Sequence, residues 1–280
     1  MYSPRQVAKA IGVSEASLKR WCDRGLLAVQ KTAGGHRRIS RRDLLSFLRG
    51  RDHDLVDPAM IGLPAESGKK EATLSQETLL AALLSADEQR LRGIFTSWYL
   101  SSKPLTRFFD EGLGPAFQRI GEMWQSGEIE VYQERQSAEL CRRALYELIS
   151  LIPDASDKKT LALGAGLRHD PYELANLMVE AALREVGRRS ETLGVNLPGD
   201  TIAKAVATRK PQLLWLSVSS VAMESNFVTD CEIIWQACLA HQTKLAVGGR
   251  GLTNARRAKI SYTVHCDRIG DLIDFLKSNG

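Results

Sequence analysis

Long apolar runs are missing from this sequence. No hydrophobic stretch reaches the roughly eighteen residues that a membrane span requires. The opening Met1-Tyr2-Ser3-Pro4 lacks the apolar h-region of a signal peptide. A cytoplasmic protein with no membrane partner is therefore expected. Cysteine is also scarce. Cys22, Cys141, Cys231, Cys238 and Cys266 are odd in number, scattered and without a CxxC pair. That excludes a disulfide framework and leaves reduced, buried thiols. Low-complexity repeats are absent. So is any nucleophile–base pairing or metal-ligand cluster, which argues against an enzyme.

What the chain does have is an uneven distribution of charge. Its 280 residues suit about two domains. The overall charge of +5 hides a basic head on a mildly acidic body. Residues 1–51 hold twelve Lys and Arg against three Asp and Glu, while the remainder carries a net −4. Such a head localises a polyanion partner.

The order of parts in the head narrows that partner. Ser3 with Pro4 can open a helix whose apolar face is Val7, Ala8 and Ile11. Gly12-Val13 turns the chain, and Ser14 caps a second helix that Gly25 ends in a left-handed conformation. Two short helices joined at a glycine form a helix-turn-helix, whose second helix enters the major groove of double-stranded DNA. Glu15, Ala16, Lys19 and Arg20 face outward, whereas Leu18 and Trp21 pack inward. Residues 26–29 and 38–39 can pair as a hairpin with its tip at Thr32-Ala33-Gly34-Gly35-His36. The glycines let the backbone approach phosphates, and Arg37-Arg38 supply charge-assisted bonds to them. Ser40 then caps a third helix, Arg41 to Leu48. The candidate DNA contacts are Ser14, Glu15, Ser17, Lys19, Arg20 and Arg24, with Gly34, Gly35, His36, Arg37 and Arg38 from the wing. This run of parts resembles the winged helix-turn-helix of MerR-type regulators and excisionases.

Residues 52–72 read as a linker, with Asp57-Pro58, Gly62-Leu63-Pro64 and Glu66-Ser67-Gly68. A tethered head, not rigidly packed, is expected. Residues 73–153 have helical periodicity and predict a bundle of four or five helices. After Pro153 the period changes. Short apolar strands at 160–164, 192–196, 213–217, 244–248 and 262–265 alternate with helices near 172–187, 200–208, 228–241 and 269–277. This predicts an α + α/β protein whose last 127 residues, 154–280, form a Rossmann-like, flavodoxin-like five-stranded parallel sheet. Ligands of such sheets sit beyond the carboxyl ends of the strands.

A bundle followed by this α/β unit has the layout of a cobalamin-binding module. Behind a MerR-type head it resembles the CarH/LitR family of light-dependent, adenosylcobalamin-binding repressors. The family's helical cap motif is a Trp, nine residues, then Glu-His. Here Trp124 and Glu134 match at that spacing, and Arg135 replaces the His. The lower-face motif is Asp/Glu-x-His-x-x-Gly, whose His takes the cobalt. Here only His169 of Leu167-Arg168-His169-Asp170-Pro171-Tyr172 matches, with Asp170 placed to stand in for the missing acid. Tyr172 fills the space that the glycine leaves for the nucleotide tail. Ser217 matches the next motif, with Ser219 beside it, and Gly248-Gly249 matches the glycine pair that lets the tail pass.

The resemblance therefore implies a DNA-binding transcriptional regulator, a repressor in the family, with His169 as the metal ligand. Its cofactor would be cobalamin (adenosylcobalamin), another tetrapyrrole such as biliverdin or haem, or none. The same regulator with cobalamin binding lost, answering to another small molecule or a protein partner, is the alternative. A cobalamin-dependent methyl-transfer accessory protein is a third reading. A single head makes few base contacts, so a homo-oligomer, dimer or tetramer, is expected on the operator.

Overall fold

A computed structural model of the chain describes residues 1–49, 51, 54–65, 67–68, 75–153, 155 and 161–278. The chain forms two compact units, Met1–Pro153 and Asp154–Gly280. No helix of the described residues is long and apolar enough to cross a membrane.

The first unit opens with α1 (Pro4–Ala10), α2 (Glu15–Asp23), a two-stranded antiparallel wing of β1 (Gln30–Lys31) and β2 (Arg37–Arg38), and α3 (Arg41–Leu48). Ser3 caps α1 in a capping box with Gln6, Ser14 caps α2, and Ser40 caps α3. These side chains satisfy backbone N–H groups that the first helical turn leaves unpaired. Gly12 and Gly25 take φ of +67° and +69° at the two turns. The wing is narrower than the expected hairpin. Gln30 pairs with Arg38 and Lys31 with Arg37, so residues 26–29 stay outside the ladder. Trp21 is only half-buried and meets Phe47 at 5.2 Å.

The helices that follow are α4 (Gln76–Leu84), α5 (Glu88–Leu100), α6 (Leu105–Phe108), α7 (Gly114–Gln125) and α8 (Val131–Leu151). One π-helical turn, Phe109–Leu113, makes α6 and α7 continuous. Their core is aromatic, with Phe108 at 4.9 Å from Phe95 edge-on and 5.4 Å from Trp98 stacked. Such pairs add stabilisation beyond the area they bury.

The stretch between head and bundle differs from a free tether. Residues 52, 53, 66 and 69–72 of the expected linker lie outside the described residues, but Leu55, Ile61 and Leu63 are buried. The N–H groups of Val56 and Asp57 both donate to the Ala10 carbonyl, and the Tyr2 hydroxyl donates to the Ile61 carbonyl at 2.6 Å. The head itself packs on the bundle. Glu147 of α8 accepts from Arg41 of α3 at 3.1 Å and from Arg92 of α5 at 2.8 Å. The Arg49 guanidinium lies 4.6 Å over the Tyr99 ring. Proline and glycine there shape a packed crossing, because apolar residues at every third or fourth place find a surface to cover.

The second unit is a parallel sheet in the order β4-β3-β5-β6-β7, built from β3 (Leu161–Ala165), β4 (Arg189–Thr192), β5 (Leu213–Ser217), β6 (Lys244–Gly248) and β7 (Val264–Cys266). The helices are α9 (Leu174–Glu185), α10 (Gly199–Arg209), α11 (Glu224–Ala240), the short α12 (Asn254–Arg257) and α13 (Ile269–Ser278). This is the doubly wound order with its switch point between β3 and β5, as expected. One strand moves. The apolar run 192–196 predicted a strand, but β4 lies upstream at Arg189–Thr192. Gly194 and Asn196 instead adopt φ of +99° and +59° in a turn, which a strand cannot contain.

One face of the sheet carries the main core. Leu163 and Ala165, Leu214 and Leu216, and Leu245 and Val247 pack there on Ile202 of α10 and Ile234 of α11. By alternation the other face presents Gly164, Trp215 and Ala246 in one row across adjacent strands. Helix α9 covers that face. All five cysteines are free. Burial pushes the Cys231 and Cys238 thiols up to about 12, which keeps them protonated and inert.

Candidate functional site

The candidate residues fall into three groups. On the head, α2 presents Glu15, Lys19 and Arg20 to solvent, and Arg24 is exposed just past the helix. Lys19 pairs with Glu15 at 3.0 Å, one turn away. Ser14 and Ser17 are engaged in the cap, with Arg20 donating to the Ser17 hydroxyl at 3.2 Å. The tip Gly34-Gly35-His36 is exposed. Gly35 supplies the positive φ of +77° that closes it. The two wing arginines diverge. Arg37 turns back to Asp23 and to the Lys19 carbonyl, holding the wing against α2. Arg38 makes no side-chain hydrogen bond or ion pair among the described residues. The geometry suits a groove-reading helix beside a phosphate-contacting wing.

On the helical bundle, Trp124 closes α7 and is 45% exposed. A helical tryptophan is more often core, and this one is not. The chain turns at Gly127, with φ +76°. Helix α8 then starts with exposed Val131 and Tyr132, the latter at 64%. Large apolar side chains left in solvent at the end of α7 and the start of α8 are candidates for a binding surface. Glu134 is mostly buried while its ion-pair partner Arg135, at 3.3 Å, projects outward.

At the carboxyl edge of the sheet, His169 is exposed and holds φ +64°. Its N–H donates to Asn196 Oδ1 at 2.7 Å. Its ring makes no hydrogen bond among the described residues, so it is open to a ligand. Leu167 is buried at 4% in the core. Asp170 does not stand in for the missing acid. It is 1% exposed, accepts from Ser219 N–H at 2.6 Å and Ser220 N–H at 3.0 Å through one oxygen, and from Tyr172 N–H at 3.2 Å through the other. Burial raises its pKa and those backbone donors oppose the shift. Asp170 thus ties the turn after β3 to the turn after β5. Arg168 makes a second tie, donating twice to buried Asp230 of α11, at 2.7 and 2.9 Å. Asp230 also accepts from Gly199 N–H.

The small residues expected to admit a nucleotide tail are already in contact with this chain. A Cβ on Gly249 would lie 2.4 Å from the Val218 carbonyl, and one on Gly248 2.6 Å from the Cys266 carbonyl. Only glycine allows the backbone to approach those carbonyls so closely. Ser217 is buried at 5% and Tyr172 stands at the edge, 39% exposed. Two residues that sequence reasoning missed lie deeper. Trp215 is 2% exposed, and its indole lies so close over Gly164 that a Cβ there would sit 2.0 Å from it. Asn176, in the first turn of α9, is fully buried. Neither amide atom of Asn176 nor the indole nitrogen of Trp215 has a hydrogen-bond partner among the described residues. The available signal was one tryptophan in the apolar run Leu213-Leu214-Trp215-Leu216. Beneath α9 the row of Gly164, Trp215 and Ala246 is thus filled by the Trp215 indole.

Residues 1–52 match the model of a helix-turn-helix domain, and residues 75–149 match that of a B12 binding domain. The chain is 26% identical, over 94% of its length and 91% of the relative's, to the HTH-type transcriptional repressor CarH of Myxococcus xanthus. Among solved structures it is similar in fold to the Methanosarcina barkeri monomethylamine corrinoid protein, at TM-score 0.60 and 15% identity. That match covers 72% of this chain and 96% of that one.

Proposed function

We propose that this chain, a homologue of the CarH repressor, is a DNA-binding transcriptional regulator with a cobalamin-type sensor. One observation carries the reading. The exposed α2 and wing belong to the same compact unit as the helices matched to a B12 binding domain, joined by the Arg41–Glu147–Arg92 contacts. A sensor helix that shifts therefore moves the reading head with it. A methyl-transfer accessory protein would have no use for such a head.

The residues assigned to DNA are Glu15, Lys19 and Arg20 in the groove, and Arg38 and the Gly34-Gly35 backbone at phosphates. On the helical bundle, Trp124, Tyr132 and Glu134 are the residues assigned to a tetrapyrrole face; on the α/β unit, taken by itself, His169 is the residue able to ligate a metal. Adenosylcobalamin would supply a light-labile bond. Biliverdin or haem would supply light absorption or redox sensing instead. Binding to an operator as a dimer or larger oligomer multiplies weak single-head affinities through effective concentration, and repression follows from blocking the promoter.

The test uses the purified full chain. Spectra are recorded in dark and light after separate supply of adenosylcobalamin, biliverdin and haem, with DNA affinity measured for each state across a salt series. A bound chromophore whose illumination changes DNA affinity is expected. A protein that stays colourless under every supply would sink the sensor reading. One with no salt-dependent DNA binding would sink the regulator reading.

A further inference from the structure

The face of the sheet beneath α9 is where this chain departs furthest from an ordinary corrinoid site. A limb entering from the carboxyl edge must pass Tyr172, cross the Ser217–Gly248 pair and run down over Gly164, Trp215 and Ala246. Each stage is blocked. Tyr172 stands where the motif asks for glycine. Gly249 lies against the Val218 carbonyl and Gly251 against Ser219, where an added Cβ would come to 2.4 and 2.9 Å. The Gly251 N–H donates to the Val218 carbonyl at 2.8 Å, which pins the β6 turn onto the β5 turn. Trp215 then fills the row beyond, its ring resting directly on Gly164. An indole is similar in bulk to the benzimidazole base that ends a cobalamin tail, so the two cannot share that space.

The filling is not a polished hydrophobic core. The Trp215 indole nitrogen and both ends of the Asn176 amide are buried without partners among the described residues. Buried polar groups left unpaired are costly and uncommon. They mark a polar passage now occupied by a side chain that cannot pair with its lining.

We infer that the α/β unit takes a tetrapyrrole by its ring alone, at the exposed edge around His169, and excludes a nucleotide tail through Trp215 and Tyr172. The ligand class is thus a tail-less macrocycle, either a cobinamide-type corrinoid or a tetrapyrrole such as haem or biliverdin that never carries a tail. This rests on the sensor reading above and narrows it.

The experiment titrates the full chain in the dark with adenosylcobinamide and adenosylcobalamin, which share the ring and upper ligand and differ in the tail. Biliverdin and haem form a third arm. The same series is run on Trp215→Gly and on Tyr172→Gly, the latter at an exposed position that folding tolerates. The wild type should bind the cobinamide within about threefold of the cobalamin or more tightly. Either variant should shift the ratio toward cobalamin by about tenfold, the effect of opening space for one large group. Binding of biliverdin or haem with neither corrinoid also supports the inference and selects its source. A wild type that prefers cobalamin by about tenfold or more, roughly 1.4 kcal/mol, overturns it. If the wild type binds nothing and a variant gains cobalamin, the blocked passage stands while the sensor reading fails. If no protein binds any of the four, both fall.

Discussion

Two histidines stand at the tips of two exposed turns, and the turns are built differently. In the wing, Gly35 takes the left-handed conformation and His36 is left extended and unstrained. After β3 the left-handed residue is His169 itself, at φ +64°. Glycine would hold that turn at lower cost, by about 1 kcal/mol. The wing thus owes its shape to its own sequence and can approach phosphates without help. The sheet turn keeps its shape because Asn196 and Asp170 hold it from outside.

The difference sets out an order of experiments. The largest effect is expected from Asp170→Ala, which leaves the N–H groups of Tyr172, Ser219 and Ser220 without their acceptor. A loss of about 3 kcal/mol in chemical denaturation of the α/β unit follows. Asp170→Asn adds a pH signature. The folded carboxyl titrates above its ordinary value of 3.8. Its linkage contribution is therefore present at low pH and is lost as pH rises through the folded pKa. Relative to Asp170→Asn, the wild type should lose stability as pH rises from about 4. A flat difference would mean that the backbone donors offset the effect of burial on Asp170 in full.

Glu147→Ala comes next. It removes the carboxylate that Arg92 and Arg41 share, Arg41 keeping its bonds to the Ile61 and Gly62 carbonyls, and should cost the first unit about 2 kcal/mol in thermal unfolding. The same variant should loosen the head, uncoupling DNA affinity from chromophore state. Unchanged coupling would show that the head acts as a free tether after all. Arg38→Ala should weaken binding to all DNA several-fold and lower the salt slope by about 1. Arg37→Ala should chiefly loosen the wing, since Arg37 is bound to Asp23. Equal salt slopes for the two variants would erase that distinction. The smallest effect is His169→Gly, which should raise stability by about 1 kcal/mol while abolishing any metal-ligand band in the visible spectrum. A destabilised variant that keeps its spectrum would remove His169 from the site.

Much of this was legible beforehand. The caps at Ser3, Ser14 and Ser40, the turn glycines, the third helix, and strands β5 and β6 follow from local chemistry and short apolar runs. The displaced β4 was not, because Thr192-Leu193-Gly194-Val195-Asn196 has strand composition but a turn's backbone. The packed crossing at 54–65 was also hidden. Pro and Gly there signal irregular backbone, and irregular backbone can be packed as well as free. Among the candidate residues, Trp124, Glu134 and His169 could be picked out by their resemblance to the family's motifs, whereas Trp215 and Asn176 lie outside those motifs.

The sequence by itself determined where the capped helices of the head begin, where β5 and β6 lie, which face of α2 looks outward and which order the domains follow, because capping, turn conformation and apolar period act within a few residues. Tertiary structure alone decided that Asp170 faces inward, that Arg37 is held by Asp23, that the head leans on Glu147 and that Trp215 closes the face beneath α9. These depend on what neighbouring elements bring within a few ångströms, and residues 14 to 106 positions apart meet there only once the chain has packed.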